Sequence, residues 1–438
     1  MASGVTGSLA RFALTPLDTS ADAARAMLRL SLLDWAAVAI AGAGEPVAGI
    51  VRAAALEEGG RAEATVIGTG VRLPARAAAL VNGTTSHALD YDDTHFAHIG
   101  HPSVAVIPAA LAMAERVGAG GAAFLEAALV GVEASIRVGV WLGRSHYQAG
   151  FHQTATAGSF GAVLAAARLA GLDRERIVHA LGLAATRASG LKAQFGTMGK
   201  PFNAGIAAAN GVEAVLLAAR GMTSRAEALD GPQGFAATHH GEANEAAFDG
   251  LGEEWLTLGI SHKFHACCHG THAALEALRE AVSRAAGDAV EAVEIVTHPR
   301  WLSVCNIAAP ETGLEAKFSY RLTAAMALAG RSTAALESFS DAACSDPALV
   351  ALRERVRVRA DEAVPETAAR VRLRLASGEV REAFHDLSER RAPAELRPRI
   401  AGKVLALVGP ERAARLVAAV PEGGVADLPA LAACLAEA

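Results

Sequence analysis

Fifteen residues, His87 to His101, hold four histidines (87, 95, 98 and 101) and three aspartates (90, 92 and 93). In a chain that is 52% hydrophobic, such a density of ionisable groups costs free energy unless the groups are paired or put to use. If the helix beginning near Pro74 continues through this stretch, His87, Asp90 and Thr94 share one face. Imidazole titrates near neutral pH, so the set suits proton transfer or metal ligation. His87, Asp90 and Asp93, with a distant histidine, are of suitable ligand type for a metal. Neither an H-E-x-x-H run nor a paired C-x-x-C spacing occurs, so the zinc signatures are absent. The order Asp90-x-Asp92-Asp93 lacks the further aspartate of a magnesium-diphosphate helix, and 5% aromatics is poor material for a carbocation pocket.

Twelve of the fifteen histidines fall in two windows, 87–152 and 239–272. Any one histidine taken alone is more often a hydrogen-bonded core residue than a catalyst; the clustering favours function. In Gly150-Phe151-His152-Gln153-Thr154, a histidine stands just before a helix start, where backbone N–H groups favour anions. Simple capping by Thr154 explains the same residues equally well. Of 40 basic residues only five are lysine: 192, 200, 263, 317 and 403. Arginine does not deprotonate, whereas lysine can be tuned, so each remaining lysine is a candidate. Lys200, between Gly199 and Pro201 at a helix entrance, and Lys263, in Lys-Phe-His-Ala-Cys-Cys-His-Gly-Thr-His, are cations placed to hold a carboxylate.

The elements that must position these groups are mostly helices. Apolar periodicity predicts helices near 19–41, 46–58, 74–87 and onward, 103–117, 121–143, 155–170, 174–188 and 204–220. After about residue 265 the texture changes to a helix (272–286), the β-rich 293–297, a helix (313–329), and a hairpin through Ser377-Gly378. The fold class expected is mainly α with a smaller α+β domain: 1–264 with 391–438 helical, and 265–390 the α+β part. A net charge of −6 without like-charge blocks gives no sign of a nucleic-acid or membrane partner. Five cysteines without paired spacing suit a reducing compartment, and no apolar leader opens the chain, so a soluble cytoplasmic protein is expected.

Taken in order, Leu80-Val-Asn-Gly83, His87-Ala-Leu-Asp90-Tyr-Asp-Asp-Thr94, Gly100-His101-Pro-Ser103, Gly150-Phe-His152-x-Thr154, Thr197-Met-x-Lys200-Pro201, Lys263-x-x-x-Cys-Cys268-x-x-Thr271-His272 and Glu315-Ala-Lys-Phe-Ser319 resemble the MmgE/PrpD family. That family includes 2-methylcitrate dehydratase, cis-aconitate decarboxylase and iminodisuccinate epimerase. The resemblance implies a large helical domain built from both chain ends, an α+β lid, a homodimer, and chemistry on a small carboxylate with no metal or organic cofactor. It carries Asp90, His101, His152, Lys200 and Lys263 over as catalytic residues, and Thr94, Lys200, Lys263, Cys268 and His272 as substrate contacts. Asp92 and Asp93 are read as bracing the loop. The chain departs from the family's decarboxylases at Cys268 (a histidine there), Leu322 (a tyrosine) and Gln153 (a proline), and is one residue longer between Thr94 and His101. The expected activity is a cofactor-independent dehydratase or decarboxylase, with an epimerase of an imino- or aminodicarboxylate as the alternative and a non-catalytic carboxylate-binding protein as the reading from another class.

Overall fold

The computed structural model describes residues 4–285, 287–424 and 426–437. They form two compact units, Met1–His262 with Arg391–Ala438, and Lys263–Arg390. The chain is mainly α, with a smaller α+β part.

The first unit contains α1 (Gly4–Leu14), α2 (Asp22–Gly42), α3 (Pro46–Glu58), α4 (Ala75–His87), α5 (Ser103–Val117), α6 (Gly121–Gln148), α7 (Gln153–Leu169), α8 (Arg174–Ala185) and α9 (Gly199–Ala218). α1 has no counterpart in the sequence reading; it is short, and it buries Val5, Leu9 and Phe12. α2 is preceded by a 3-10 turn capped by Asp18, whose carboxylate accepts from the Ser20 N–H at 2.8 Å. α6 runs past the expected stop, with a break at Gly143, whose φ of 72° no β-carbon-bearing residue adopts cheaply. Gln153, fully buried, donates to the Gly139 and Gly143 carbonyls that this break exposes, both at 3.0 Å.

Small residues let these helices approach until backbones touch, which is where the alanine and glycine content is used. A β-carbon added at Gly205 of α9 would lie 2.4 Å from the Leu80 carbonyl of α4, and one at Gly131 of α6 would lie 2.6 Å from the Gly161 carbonyl of α7. The first of these contacts brings the His87 end of α4 to the start of α9. Two short antiparallel pairs, β1 (Ala64–Thr65) with β2 (Arg72–Leu73) and β3 (Thr94–His95) with β4 (Ile260–Ser261), pin the loops. The late helix Pro393–Ala419 packs on α2, and a last helix, Leu428–Ala436, follows it. Among the described residues no single helix is long and apolar enough to cross a membrane; α2 and α3 pass that test only as a pair bent by 86°, and α2 is largely buried.

The second unit is a four-stranded sheet of order β6-β5-β7-β8, formed by β5 (Val290–Thr297), β6 (Val356–Ala360), β7 (Ala368–Leu375) and β8 (Val380–Asp386). β5 runs parallel to β6 and antiparallel to β7; β7 and β8 are the expected hairpin. Alternation decides the faces: Val371, Leu373 and Leu375 are buried with Val293 and Ile295 under the helix His272–Ser283, while Arg372 faces out and pairs with Glu382. The helix expected at 313–329 is two pieces, Gly313–Ala316 and Tyr320–Leu328, because Ser319 caps the second by accepting from the Leu322 N–H at 3.2 Å.

Candidate active site

α4 stops at His87, and residues 88–93 form an irregular turn, so the His87/Asp90/Thr94 helical face does not exist. Asp90 adopts φ 50°, a left-handed conformation that aspartate tolerates better than most residues. The reversal sends three adjacent acids in different directions. Asp90 points outward, half exposed, with Oδ1 2.7 Å from Lys200 Nζ and 3.5 Å from His101 Nε2. Asp92 is fully buried; Oδ1 accepts from His87 Nδ1 at 2.9 Å, and Oδ2 forms an ion-pair contact with His101 Nδ1 at 2.7 Å. Asp93 turns away and accepts from the Ser103 hydroxyl at 2.5 Å. Asp93 therefore braces the loop, whereas Asp92 is the centre of the cluster, a correction to its reading as scaffold.

These acids show how surroundings sort identical side chains. Burial alone would raise the Asp92 carboxyl, but the imidazoles on both its oxygens outweigh that and hold it well below the usual carboxylate range. Asp93, also buried, has neutral partners, the Ser103 hydroxyl and backbone N–H, beside the charges of Asp34 and Asp92, so burial and repulsion push it up to about 7. Because an ionised carboxylate only accepts, His87 presents Nδ1–H to Asp92 Oδ1, while His101 Nδ1 faces Oδ2 as an ion-pair contact. That leaves each Nε2 as the nitrogen available for chemistry, and His87 Nε2 is buried without a hydrogen-bond partner.

His152 is the N-cap of α7, and its ring stacks 6.0 Å from His87 at 22°. Asn203 Nδ2 donates to His152 Nδ1 at 3.2 Å, which places the His152 proton on Nε2. Burial, then the like charges of His87, Lys200 and His101, push His152 well below the ordinary imidazole value. Phe195 lies edge-on over His152 at 5.0 Å. Thr154 caps nothing: its hydroxyl accepts from the His101 backbone N–H at 3.0 Å and so ties the start of α5 to the start of α7. His101 stands two residues before α5, His152 caps α7, and Lys200 is the second residue of α9. Three helix N-termini thus converge with a lysine, an environment that favours carboxylate groups.

The structure brings Asp90, His101, His152 and Lys200 together and adds His87, Asp92 and Asn203, which sequence reasoning did not select as catalytic. His87 and Asp92 lay inside the densest motif; Asn203 carried no signal beyond its place in Lys200-Pro-Phe-Asn203. Thr94 lies in β3, its hydroxyl donating to the Ser261 carbonyl at 3.3 Å. Lys263, Cys268 and His272 belong to the second unit. There His272 is buried, with Nε2–H directed to the Cys267 carbonyl at 3.2 Å, and His265 lies between Thr333 and Glu276. Tyr320 donates to the Gly270 carbonyl at 2.7 Å and Leu322 is core. His146, hydrogen-bonded on both ring nitrogens and pushed by burial down to about 4, is a satisfied core histidine.

His87, Asp90, Asp92 and His101 offer ligand atoms within 4.8 Å of one another, a set that replaces the expected Asp93 by Asp92. The donor chemistry fits a metal poorly: the Asp92 oxygens are taken up by imidazole nitrogens at 2.9 and 2.7 Å, and Asp90 holds the Lys200 ammonium.

Comparison with known proteins agrees with these motifs. A cis-aconitate decarboxylase-like protein of Aspergillus oryzae is 33% identical over 284 residues, 61% of this chain and 59% of that protein. The cis-aconitate decarboxylase of Aspergillus terreus is 33% identical over 234 residues (50% and 48% of the two chains), and that of Homo sapiens 34% over 172 (38% and 36%). The matches therefore span about three fifths or less of these relatives. The MmgE/PrpD N-terminal domain matches residues 7–246 and the MmgE/PrpD C-terminal domain residues 265–415, and on that span the chain belongs to the MmgE/PrpD family.

Proposed function

We propose that this chain is a lyase acting on a small di- or tricarboxylate, with cis-aconitate as the first substrate to test and no metal or organic cofactor. The observation that carries this is Asp92, ionised and buried between the imidazoles of His87 and His101, with His101 Nε2 3.5 Å from the Asp90 carboxylate that holds Lys200. Decarboxylation next to an unsaturated acid leaves an electron pair on carbon, which spreads into a remaining carboxylate. Lys200 and the three helix N-termini suit that developing charge. Asp92 stabilises the imidazolium of His101, and its Nε2–H delivers a proton to the carbon as CO₂ departs; water then restores the imidazolium. Run in the other sense, neutral His101 removes a proton beside a carboxylate, the step that dehydration and epimerisation share. His152, held neutral with Nε2–H outward, serves as a hydrogen-bond donor to substrate. Names of the relatives support the decarboxylase form.

The test is incubation of the full chain in D₂O with cis-aconitate, 2-methylcitrate and iminodisuccinate, followed by NMR with and without EDTA. Deuterium at the carbon beside a carboxylate is expected in at least one, with the product distinguishing decarboxylation, dehydration and epimerisation. Thermal stabilisation without exchange would make the chain a binding protein. Loss of activity in EDTA, restored by a divalent ion, would overturn the metal-free reading.

A further inference from the structure

One lysine that the census singles out takes no part in this scheme. Lys403, on the helix Pro393–Ala419, is 2% exposed. Its Nζ lies 2.6 Å from Asp34 Oδ1 of α2, donates to the Tyr91 carbonyl at 2.6 Å, and stands 3.9 Å over the Tyr91 ring. Tyr91 is the residue between Asp90 and Asp92, and its carbonyl belongs to the peptide that leads into Asp92. On the same inner side, Asp93 holds Ser103, and Ser31, from α2, meets His262 Nε2 at 3.0 Å.

We propose that Lys403 and Asp34 are positioning residues: they clamp the Tyr91 peptide from beneath, so that Asp92 stays on His87 and His101 while Asp90 stays in its left-handed turn toward Lys200. A buried ion pair is a poor source of stability, because desolvating both charges offsets their attraction and an apolar pair of similar volume often does as well. What the pair supplies is direction. One small ammonium nitrogen stands 2.6 Å from both a carboxylate and a carbonyl, a geometry that a planar guanidinium with its spread nitrogens does not match, in a chain that otherwise uses arginine for 35 of its 40 cations. A turn with an aspartate at φ 50° has no ladder of its own to fix the Tyr91–Asp92 peptide, so the constraint comes from a residue 312 positions away.

The turnover arm of the test rests on the lyase reading; the spectroscopic arm does not. The full-chain D34L/K403M variant removes both charges together, so neither is left buried alone. It is expected to fold, with a thermal midpoint within about 4 °C of the parent. Its Nδ1–H proton resonances from His87 and His101, assigned with ¹⁵N-histidine and sharp in the parent, broaden or vanish as the carboxylate leaves them. On cis-aconitate, kcat falls about 100-fold, with KM changed about twofold or less. A D34N/K403M variant, closer in shape to the original pair, carries the same expectation. Unchanged imidazole resonances in a folded variant overturn the proposal, as does failure of both variants to fold, which would make the pair a stability element. If the parent turns over no carboxylate, the lyase reading falls, and the resonances alone decide Lys403.

Discussion

The pH dependence of stability puts a number on Asp93. Its carboxyl titrates near 3.8 in an unfolded chain and is pushed up to about 7 in the fold, first by burial and then by Asp34 and Asp92, against the Ser103 and Ser31 hydrogen bonds. Between those two values the folded state binds one proton more than the unfolded state. Stability therefore falls as pH rises through this window, by about 1.4 kcal/mol per pH unit, and by roughly 4 kcal/mol in all. Below the unfolded value both states are protonated and the contribution is fully present; above about 7 it is lost. Asp93 is 1% exposed, so solvent screening takes little from this. D93N mimics the protonated acid: the amide oxygen still accepts from the Ser103 N–H, and the amide nitrogen donates to its hydroxyl. Urea unfolding of both proteins from pH 5 to 8 isolates the group, since every other titration cancels in the difference. The difference in unfolding free energy, D93N minus parent, is expected to grow with pH by about 2–3 kcal/mol over this range. A flat difference would refute the reasoning, and with it the assignment of Asp93 as a neutral brace beside an ionised Asp92.

Other outcomes follow from the same geometry. D92N keeps the shape but turns an amide toward one imidazole N–H, so kcat/KM should drop by about 10²–10⁴, measured on whichever acid is turned over. Because the folded Asp92 value is depressed, the parent's stability should also decline as pH falls through it, and D92N should show a shallower acid limb in thermal melts. K200A and H152A should each lose turnover by orders of magnitude with thermal midpoints almost unchanged; normal turnover in either would remove that residue from the mechanism. G205A places a methyl 2.1 Å from Thr84 Oγ1 and 2.4 Å from the Leu80 carbonyl, so α4 and α9 must separate. A loss of about 1–3 kcal/mol in chemical denaturation is expected, with turnover falling because the His87 and Lys200 ends part.

Much of this was readable along the chain because it is local. Pro46–Glu58 and Ser103–Val117 begin and end where proline, glycine and the apolar period place them. Residues of β7 alternate strictly, so the hairpin and its buried face follow from a period of two. The motif string also carried the family, since its residues recur in order even where none is diagnostic alone. His101, His152, Asp90 and Lys200 could be picked as a group for that reason, although 110 positions separate the first of these from the last.

The sequence by itself determined that this chain is helical with an α+β part, and that histidines, acids and rare lysines gather at a few helix entrances. Only the tertiary structure decided which acid does what. Asp92 and Asp93 are neighbours of one type, and the turn that parts them follows no period, so nothing local says which meets the imidazoles. Their charges differ because one lies between two imidazoles and the other between hydroxyls and like charges. Lys403 was visible as an oddity of composition, but its task depends on a helix from the far end of the chain arriving beneath Tyr91. Such a contact arises from how helices pack, which is set by shape summed over the whole unit and not by any short run of residues.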